Sequence, residues 1–481
     1  MSWEAELLGA LPRGVQGRED VVPGARWAEP GTLGEAWAYK RSSIFLGYRE
    51  GKGIGSADDR HCLLCSGSRS GKGVSVIVPN LLLYEGSVLA IDPKGELARI
   101  TARRRVAMRQ RVVILDPFGT TGAPSGSFNP LAEIDPASPT VVDDAALLAE
   151  ALVVQENSGG GEGQHWVNGA RELVKGLVLF ALLQPPEHRH LITVRRFFRE
   201  PPEMVGDKLV PGYRLALQGI AEAAGNAFDG LLAGIANSFL GKEERELSGL
   251  VSTADVQLAF LDSPPLAACL TRSDFKLSDL KASPMTVYLC LPASRMATHA
   301  KWLRAVINLA LAMCERIKKV PKPPLLFMLD EFPVLGHMRT LEAAAGQIAG
   351  FGVKLFTVVQ DLTQLQRLYK ESWQTFIGNA GTTIFFGNSD AFTLDYLSKK
   401  LGTIGFDIIR ATGGGSAHAL SGNKVVQEQL QLTKLLEPHE VELVFARERE
   451  RALVLCPGQA PLILQRARYY DDTPFKGMFD P

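Results

Sequence analysis

Two segments of this chain hold residues suited to handling phosphate: Ser66-Gly67-Ser68-Arg69-Ser70-Gly71-Lys72-Gly73, and far downstream Leu325-Leu326-Phe327-Met328-Leu329-Asp330-Glu331. The first is a glycine-rich run ending in Gly-Lys between two apolar stretches, Cys62 to Cys65 and Val74 to Val78, which read as a strand before it and a helix after it. A loop in that setting turns successive backbone N–H groups inward at a helix N-terminus. The helix dipole there also favours negative charge, and the lysine reaches the β- and γ-phosphates of a nucleotide. The second segment reads as a buried strand ending in two carboxylates, the arrangement that holds Mg²⁺ and orients water in nucleotide hydrolysis. The pair implies a nucleoside triphosphate site, with Ser68, Arg69, Ser70, Gly71, Lys72, Gly73 and Val74 as its loop and Asp330 and Glu331 as its carboxylates.

The loop departs twice from the strict pattern G-x-x-x-x-G-K-[ST]. Ser66 stands at the first glycine, and Gly73 stands at the hydroxyl that would bind Mg²⁺. Gly67 next door supplies a permissive backbone, and water replaces a hydroxyl in an octahedral Mg²⁺ shell that keeps several waters. Ser75 is a weak substitute ligand. A Gly/Ser run alone reads as a turn, and an Asp-Glu pair alone as a helix N-cap. Strand, loop, helix and distant carboxylates together are far more specific.

Composition bounds the rest. The chain has 481 residues, 46% hydrophobic and 22% charged, an ordinary globular make-up whose length favours two or three domains. Its most apolar stretches, Gly176 to Leu183 and Val306 to Cys314, fall well short of the ~20 residues that cross a bilayer. No basic segment leads into an apolar run at the N-terminus, so the expectation is a cytoplasmic protein without a secretory signal. With 52 basic and 52 acidic residues the net charge is zero, and any contact with nucleic acid must be local. The dense basic stretch Arg99, Arg103, Arg104, Arg105, Arg109 and Arg111 reads first as a solvated helix face and second as a nucleic-acid or anionic-lipid contact. Cys62-x-x-Cys65 has zinc-like spacing but no matching second pair, so both read as buried strand residues, and Cys269, Cys290, Cys314 and Cys456 as core.

Strand signals at His61 to Cys65, Ser87 to Ile91 and Val112 to Leu115, each followed by a Gly- or Pro-marked turn, predict parallel βαβ units. From about Pro139 to Arg272 the chain turns Ala- and Leu-rich with helical periodicity. Helices are expected over Asp143 to Val153, His165 to Leu183, Gly219 to Phe239 and Glu243 to Leu261, broken by loops such as Ser158-Gly159-Gly160-Gly161 and Pro201-Pro202. Strands resume at Thr286 to Leu291, Leu325 to Leu329, Lys354 to Val359, Thr382 to Phe386 and Ala452 to Cys456. The insert thus splits a nucleotide domain between its two phosphate motifs. Thr412 to Asn423, rich in Gly and Ser, reads as a mobile loop, and Gly51-x-Gly53-x-Gly55 lacks the spacing and following helix of a dinucleotide fingerprint.

Longer runs carry a family resemblance. They are Ser68 to Val74, Val78-Pro79-Asn80-Leu81-Leu82, Ile91-Asp92-Pro93-Lys94-Gly95-Glu96, Ser127-Phe128-Asn129-Pro130-Leu131, Leu329-Asp330-Glu331-Phe332-Pro333-Val334-Leu335-Gly336, Gly350-Phe351-Gly352-Val353-Lys354-Leu355, Val359-Gln360-Asp361-Leu362, and a C-terminal stretch from Ala452 to Tyr470. Over about residues 55 to 475 the chain resembles the type IV secretion coupling proteins, the conjugative DNA-transfer ATPases. In that family a glycine directly after the loop lysine is common.

The resemblance implies an α/β fold, a RecA-like P-loop NTPase domain of the FtsK/HerA type with an inserted all-α domain. Its expected parts are an N-terminal extension over 1–54 without a transmembrane helix, a nucleotide-binding domain over 55–138 and 273–481, and the insert over 139–272. ATP and Mg²⁺ are the implied cofactors, bound between neighbours in a ring of six. Lys72 and the amides of Gly71, Gly73 and Val74 would hold the β- and γ-phosphates, and Asp330 would hold Mg²⁺. Glu331 would orient and deprotonate water, and Gln360 would sense the γ-phosphate, unless Gln360 serves only to satisfy a backbone group in its loop. A trans-acting arginine is expected in such rings, with Arg272, Arg295 and Arg339 as candidates, since none lies from Thr340 to Gln366.

The implied partners are DNA, a relaxase or an effector protein, and components of a type IV secretion channel, with a homo-hexamer when assembled and a monomer when free. Typical members begin with a membrane anchor and this sequence shows none, so docking at the bacterial inner membrane is expected through partners. Two functions stay open. One is an ATP-driven motor delivering DNA or protein to the channel; the other is a nucleotide-gated recruitment adaptor with negligible hydrolysis, which the missing hydroxyl at Gly73 suits and Glu331 does not.

Overall fold

A computed structural model describes residues 24–28, 37–155, 162–412 and 425–480. The loop Ser158 to Gly161, the Gly/Ser stretch beyond Thr412, and 1–23 and 29–36 of the N-terminal extension lie outside the described residues. The strands in chain order are β1 (Ile44–Arg49), β2 (Lys52–Ser56), β3 (His61–Ser66), β4 (Val88–Asp92), β5 (Arg111–Leu115), β6 (Glu203–Val205), β7 (Lys208–Val210), β8 (Met285–Cys290), β9 (Leu325–Leu329), β10 (Val353–Val359), β11 (Ala380–Phe386), β12 (Thr403–Thr412), β13 (Val425–Lys434), β14 (Arg451–Leu455) and β15 (Leu462–Gln465). The chain divides into one unit of Met1–Asn80 with Val358–Asp472 and another of Leu81–Thr357 with Thr473–Pro481.

In the first unit the strands follow the order β2-β1-β15-β14-β11-β3. β11 and β3 are parallel, and the other pairs are antiparallel. Every residue of β3 is buried, Cys62 and Cys65 at 1% and 0% exposure, so the zinc-like spacing is strand packing. The glycines Gly51, Gly53 and Gly55 belong to the β1–β2 hairpin, where a Cβ on Gly55 would come within 2.6 Å of Ser43 Oγ. The hairpin thus accounts for Gly55 by close packing and for Gly51 by the positive φ of its turn, with no phosphate-binding helix following. β12 and β13 form a separate antiparallel pair, in register from Thr403↔Lys434 to Thr412↔Val425.

In the second unit the order is β10-β9-β4-β8-β5, and every pair is parallel. Such strands are covered on both faces, and β4, β8, β9 and β10 are buried along their whole length, including the polar Asp92, Thr286, Lys354 and Thr357. Between β5 and β8 lie helices Val141–Leu152, Glu162–Leu182, Leu191–Arg196, Gly212–Ala224, Leu231–Leu240, Glu244–Leu258 and Pro264–Cys269. This stretch is not wholly helical, because β6 and β7 pair there as a short hairpin, Glu203↔Val210 to Val205↔Lys208. The single helix expected over Gly219 to Phe239 is two. Gly225, Phe228, Asp229 and Gly230 all have positive φ, which no right-handed helix accepts. No helix among the described residues is long and apolar enough to cross a membrane.

The basic stretch departs from the sequence reading at Arg105. Arg105, on the helix Glu96–Ala107, is fully buried. Its Nε donates to Thr286 Oγ1 at 2.8 Å, Nη1 to the Leu81 and Tyr84 carbonyls, and Nη2 to Gly86 O at 2.6 Å and Gln110 Oε1 at 2.8 Å. All five donors are thus used inside, although burial pulls the guanidinium down to about 10. Arg104 Nε donates to Leu82 O at 3.1 Å, and Arg103 pairs with Asp480 at 2.5 Å while reaching the Phe479 carbonyl at 3.0 Å. Arg111 binds the Asp274 carbonyl and approaches Asp279 at 3.5 Å. Arg99, Arg103, Arg109 and Arg111 are exposed, as a solvated face would have them, and within the stretch it is Arg105 that is wholly buried. Of the remaining cysteines, Cys269, Cys290 and Cys314 are buried and Cys456 is half-buried, and all are free thiols.

Candidate nucleotide site

The phosphate loop leaves β3 at Ser66 and runs into a helix that opens with a wide π-type turn, Gly73–Ile77, and continues as Val78–Leu83. Pro79 lies in its first α-helical turn and has no N–H to give. Asn80 ties the helix to β1: its Oδ1 accepts from Phe45 N at 2.8 Å, and its Nδ2 donates to Phe45 O at 2.9 Å and Val76 O at 2.8 Å. Within the loop Arg69 and Gly71 take positive φ, 55° and 95°, which curls the backbone. The hydroxyls of Ser66 and Ser70 lie 2.5 Å apart, Ser70 Oγ also donates to Gly67 O at 2.5 Å, and Ser75 N donates to Gly71 O at 2.9 Å.

These bonds show what the two departures from the strict pattern do. Ser66 is a fully buried strand residue that closes the loop through Ser70. Gly67 is the glycine that sterics demand, since a Cβ there would lie 2.1 Å from Gly387 O at the end of β11. Gly73 is different: a Cβ there meets nothing within 4 Å. Ser75 is buried, at 5% exposure.

Gln360 follows β10 and belongs to the same unit as the loop. Its N–H donates to Gln364 Oε1 at 2.9 Å, and its carbonyl accepts from Asn388 Nδ2 at 3.2 Å. The next helix, Leu362–Tyr369, is capped by Asp361, whose Oδ1 accepts from Gln364 N at 3.0 Å. The Gln360 backbone is thus fixed from two sides. A residue that sequence reasoning passed over also reaches the loop: Arg466, just past β15, donates from Nη1 to the Ser70 carbonyl. No local signal marks it, because the two residues lie 396 positions apart.

Asp330 and Glu331 belong to the other unit, where β9 ends. Glu331 has φ of 54°, and its N–H donates to Asp330 Oδ1 at 3.1 Å. A side chain other than glycine rarely adopts that backbone, and such strain gathers at functional positions. The turn Phe332–Leu335 follows, and Glu331 gives it no side-chain capping bond, so a capping role does not explain the carboxylate. The turn is held by buried Arg304, which donates to the carbonyls of Leu335, His337 (2.9 Å) and Ala151 (3.1 Å).

Asp92, from the Asp-Pro-Lys-Gly-Glu run, serves the fold: its Oδ2 accepts from Ala98 N at 2.8 Å at the start of the helix Glu96–Ala107, with burial pushing its carboxyl above the usual range. Among the arginine candidates, Arg272 Nε donates to Ser127 Oγ at 3.2 Å, Arg295 lies 5.9 Å from the Phe118 ring centre, and Arg339 opens the helix Arg339–Gln347. Among the described residues no three His, Cys, Asp or Glu side chains gather as a metal centre.

Residues 26–479 match the family described as Type IV secretory system Conjugative DNA transfer. The chain is 28% identical to "Protein VirD4" of Rhizobium radiobacter over 470 residues, 95% of this chain and 65% of that protein. It is also 28% identical to "Conjugal transfer protein TraG" of Escherichia coli over 377 residues, 76% of this chain and 56% of that one. The chain therefore spans about two thirds or less of the length of these relatives. Its fold is similar to that of the bacterial conjugative coupling protein TrwBdeltaN70, with TM-score 0.68 and 17% identity over 95% of this chain and 93% of that one. A structure of the plasmid coupling protein TrwB in complex with ADP and Mg²⁺ matches with TM-score 0.67 and 16% identity over 95% of each chain. The fold is thus the α/β, RecA-like P-loop architecture that the sequence led one to expect.

Proposed function

This chain belongs to the type IV conjugative DNA-transfer family, and we propose that it is an ATP-dependent coupling protein delivering DNA, or protein cargo, to a type IV secretion channel. The observation that best supports this reading is the phosphate loop itself. Its left-handed residues, its closure by Ser66 and Ser70 and the open space over Gly73 make a cradle that fits a polyphosphate. Magnesium suits the donor set too, because that ion keeps several waters and needs only one or two carboxylates beside the phosphates, here Asp330 with Glu331 next to it.

In this reading Lys72 and the amides of Gly71, Gly73 and Val74 hold the β- and γ-phosphates, with Ser68, Arg69 and Ser70 completing the loop. Asp330 holds Mg²⁺, which when bound neutralises charge on the phosphates. Glu331 orients the attacking water and takes its proton, and Gln360 senses the γ-phosphate from a backbone fixed by Gln364 and Asn388. Phosphoryl transfer needs little beyond such positioning and charge neutralisation. The segments 55–138 and 273–481 form the motor in this proposal, and 139–272 is the inserted domain. Six copies assemble as a ring at the inner membrane with channel components, and DNA, a relaxase or an effector is the cargo.

A second reading rests on Gly73, which offers Mg²⁺ no hydroxyl: a nucleotide-gated recruitment adaptor that hydrolyses little. ATP turnover measured against protein concentration, with and without DNA, separates the two. A motor's rate rises with both; a slow rate at every concentration, with DNA or without, assigns the adaptor role.

A further inference from the structure

The C-terminal strand reaches the phosphate loop through Arg466, which follows β15 and is more than nine-tenths buried, at 8% exposure. Its Nη1 donates to the Ser70 carbonyl and its Nη2 to the Arg447 carbonyl, while the guanidinium stands 4.5 Å from the centre of the Phe386 ring. Its own N–H donates to Glu450 O at 2.8 Å, so the residue is fixed at both ends. This is a costly place for a cation. Burial brings its pKa down to about 10, and its Nε has no hydrogen-bond partner among the described residues. A buried charge with an unsatisfied donor calls for a reason beyond packing.

The carbonyl it holds supplies one. A trans peptide points its C=O and the following N–H in opposite directions, so fixing the Ser70 carbonyl fixes the Gly71 N–H on the other side. Gly71 has φ of 95° and no Cβ, and the peptide before it can turn over at little steric cost. Turned over, it would present a carbonyl oxygen to an arriving phosphate where an N–H is needed. We infer that Arg466 is a positioning residue of the phosphate loop, locking the Ser70–Gly71 peptide with its N–H toward the phosphates and placing positive charge behind the loop. This rests on reading the loop as the nucleotide site, and it makes the strand β15 part of that site.

The test is equilibrium binding of a fluorescent ATP analogue and of ADP to the full chain, comparing wild type with Arg466→Ala, Arg466→Lys and Lys72→Ala. Arg466→Ala is expected to weaken both nucleotides about tenfold or more, the worth of one charge-assisted hydrogen bond, with the circular dichroism of the wild type. Millimolar guanidinium is expected to restore the affinity where equal sodium chloride does not. Arg466→Lys keeps the charge but lacks the planar fork that serves two carbonyls, and is expected to lose roughly threefold. Wild-type affinity in folded Arg466→Ala, or a loss that guanidinium leaves unrepaired, overturns the inference. Should Arg466→Ala fail to fold, wild-type affinity in Arg466→Lys overturns it. A wild type that binds no nucleotide at all refutes instead the reading of the loop.

Discussion

The loop from Ser66 to Gly73 and the helix Glu96–Ala107 both offer themselves in the sequence as places for anions, one through glycines with Arg69 and Lys72, the other through a cluster of arginines. They use their positive groups in opposite ways. The helix directs Arg105 wholly inward onto carbonyls and the side chains of Thr286 and Gln110, and engages Arg103 with the C-terminal residues Phe479 and Asp480. The loop carries Arg69 and Lys72, with Arg69 exposed, and curls its backbone at Arg69 and Gly71, the kind of conformation in which successive N–H groups can face an anion. In the proposed reading, backbone conformation and close glycine packing mark the loop as the anion site, whereas the arginine cluster of the helix does not.

That contrast can be broken at several points. The largest expected effect is on stability: Arg105→Ala strands the Leu81, Tyr84 and Gly86 carbonyls, each left unsatisfied costing about 1–3 kcal/mol in urea denaturation, where a solvated arginine would cost almost nothing. Next is Gly67→Ala. Its Cβ would fall 2.1 Å from Gly387 O, so the loop must shift; ATP turnover should drop on the order of a hundredfold, with a loss of about 1–3 kcal/mol in unfolding. Gly73→Ser sharpens the same point from the other side, because nothing lies within 4 Å of its Cβ. Nucleotide affinity should stay within about threefold, and the new hydroxyl should tighten the dependence on Mg²⁺ or leave activity intact; abolished binding would mean that packing at Gly73 governs the site. The smallest effect is at Arg103, whose exposed pair with Asp480 is worth less than about 1 kcal/mol. Arg103→Ala should also leave the slope of log DNA affinity against log salt unchanged, whereas a phosphate contact would lower it by about 0.7 to 0.9.

Much of the second unit's sheet was legible because its strands are mostly apolar: the unbroken run Leu325 to Leu329 can hardly be anything but a strand buried on both faces, and the carboxylates fall at its end. The loop was legible for a similar reason, since strand, glycines, lysine and helix follow in one short span. What escaped depends on distant partners. β12 and β13 mix polar and apolar residues in sequence, and the β6–β7 hairpin is only three residues a side and mostly exposed, so neither announces itself as an apolar strand. Arg105 looks like any surface arginine until Leu81, Tyr84, Gly86 and Thr286 surround it. Arg466 meets Ser70 only because the chain returns from its far end, which no local spacing encodes.

The central claim is that Lys72 and its loop bind a nucleotide that Glu331 helps to hydrolyse. It is tested most directly by measuring ATP binding and turnover together in wild type, Lys72→Ala and Glu331→Gln. The expected result is loss of ATP binding in Lys72→Ala, and in Glu331→Gln wild-type binding without turnover. Unimpaired binding in Lys72→Ala together with lost affinity in Glu331→Gln would contradict it.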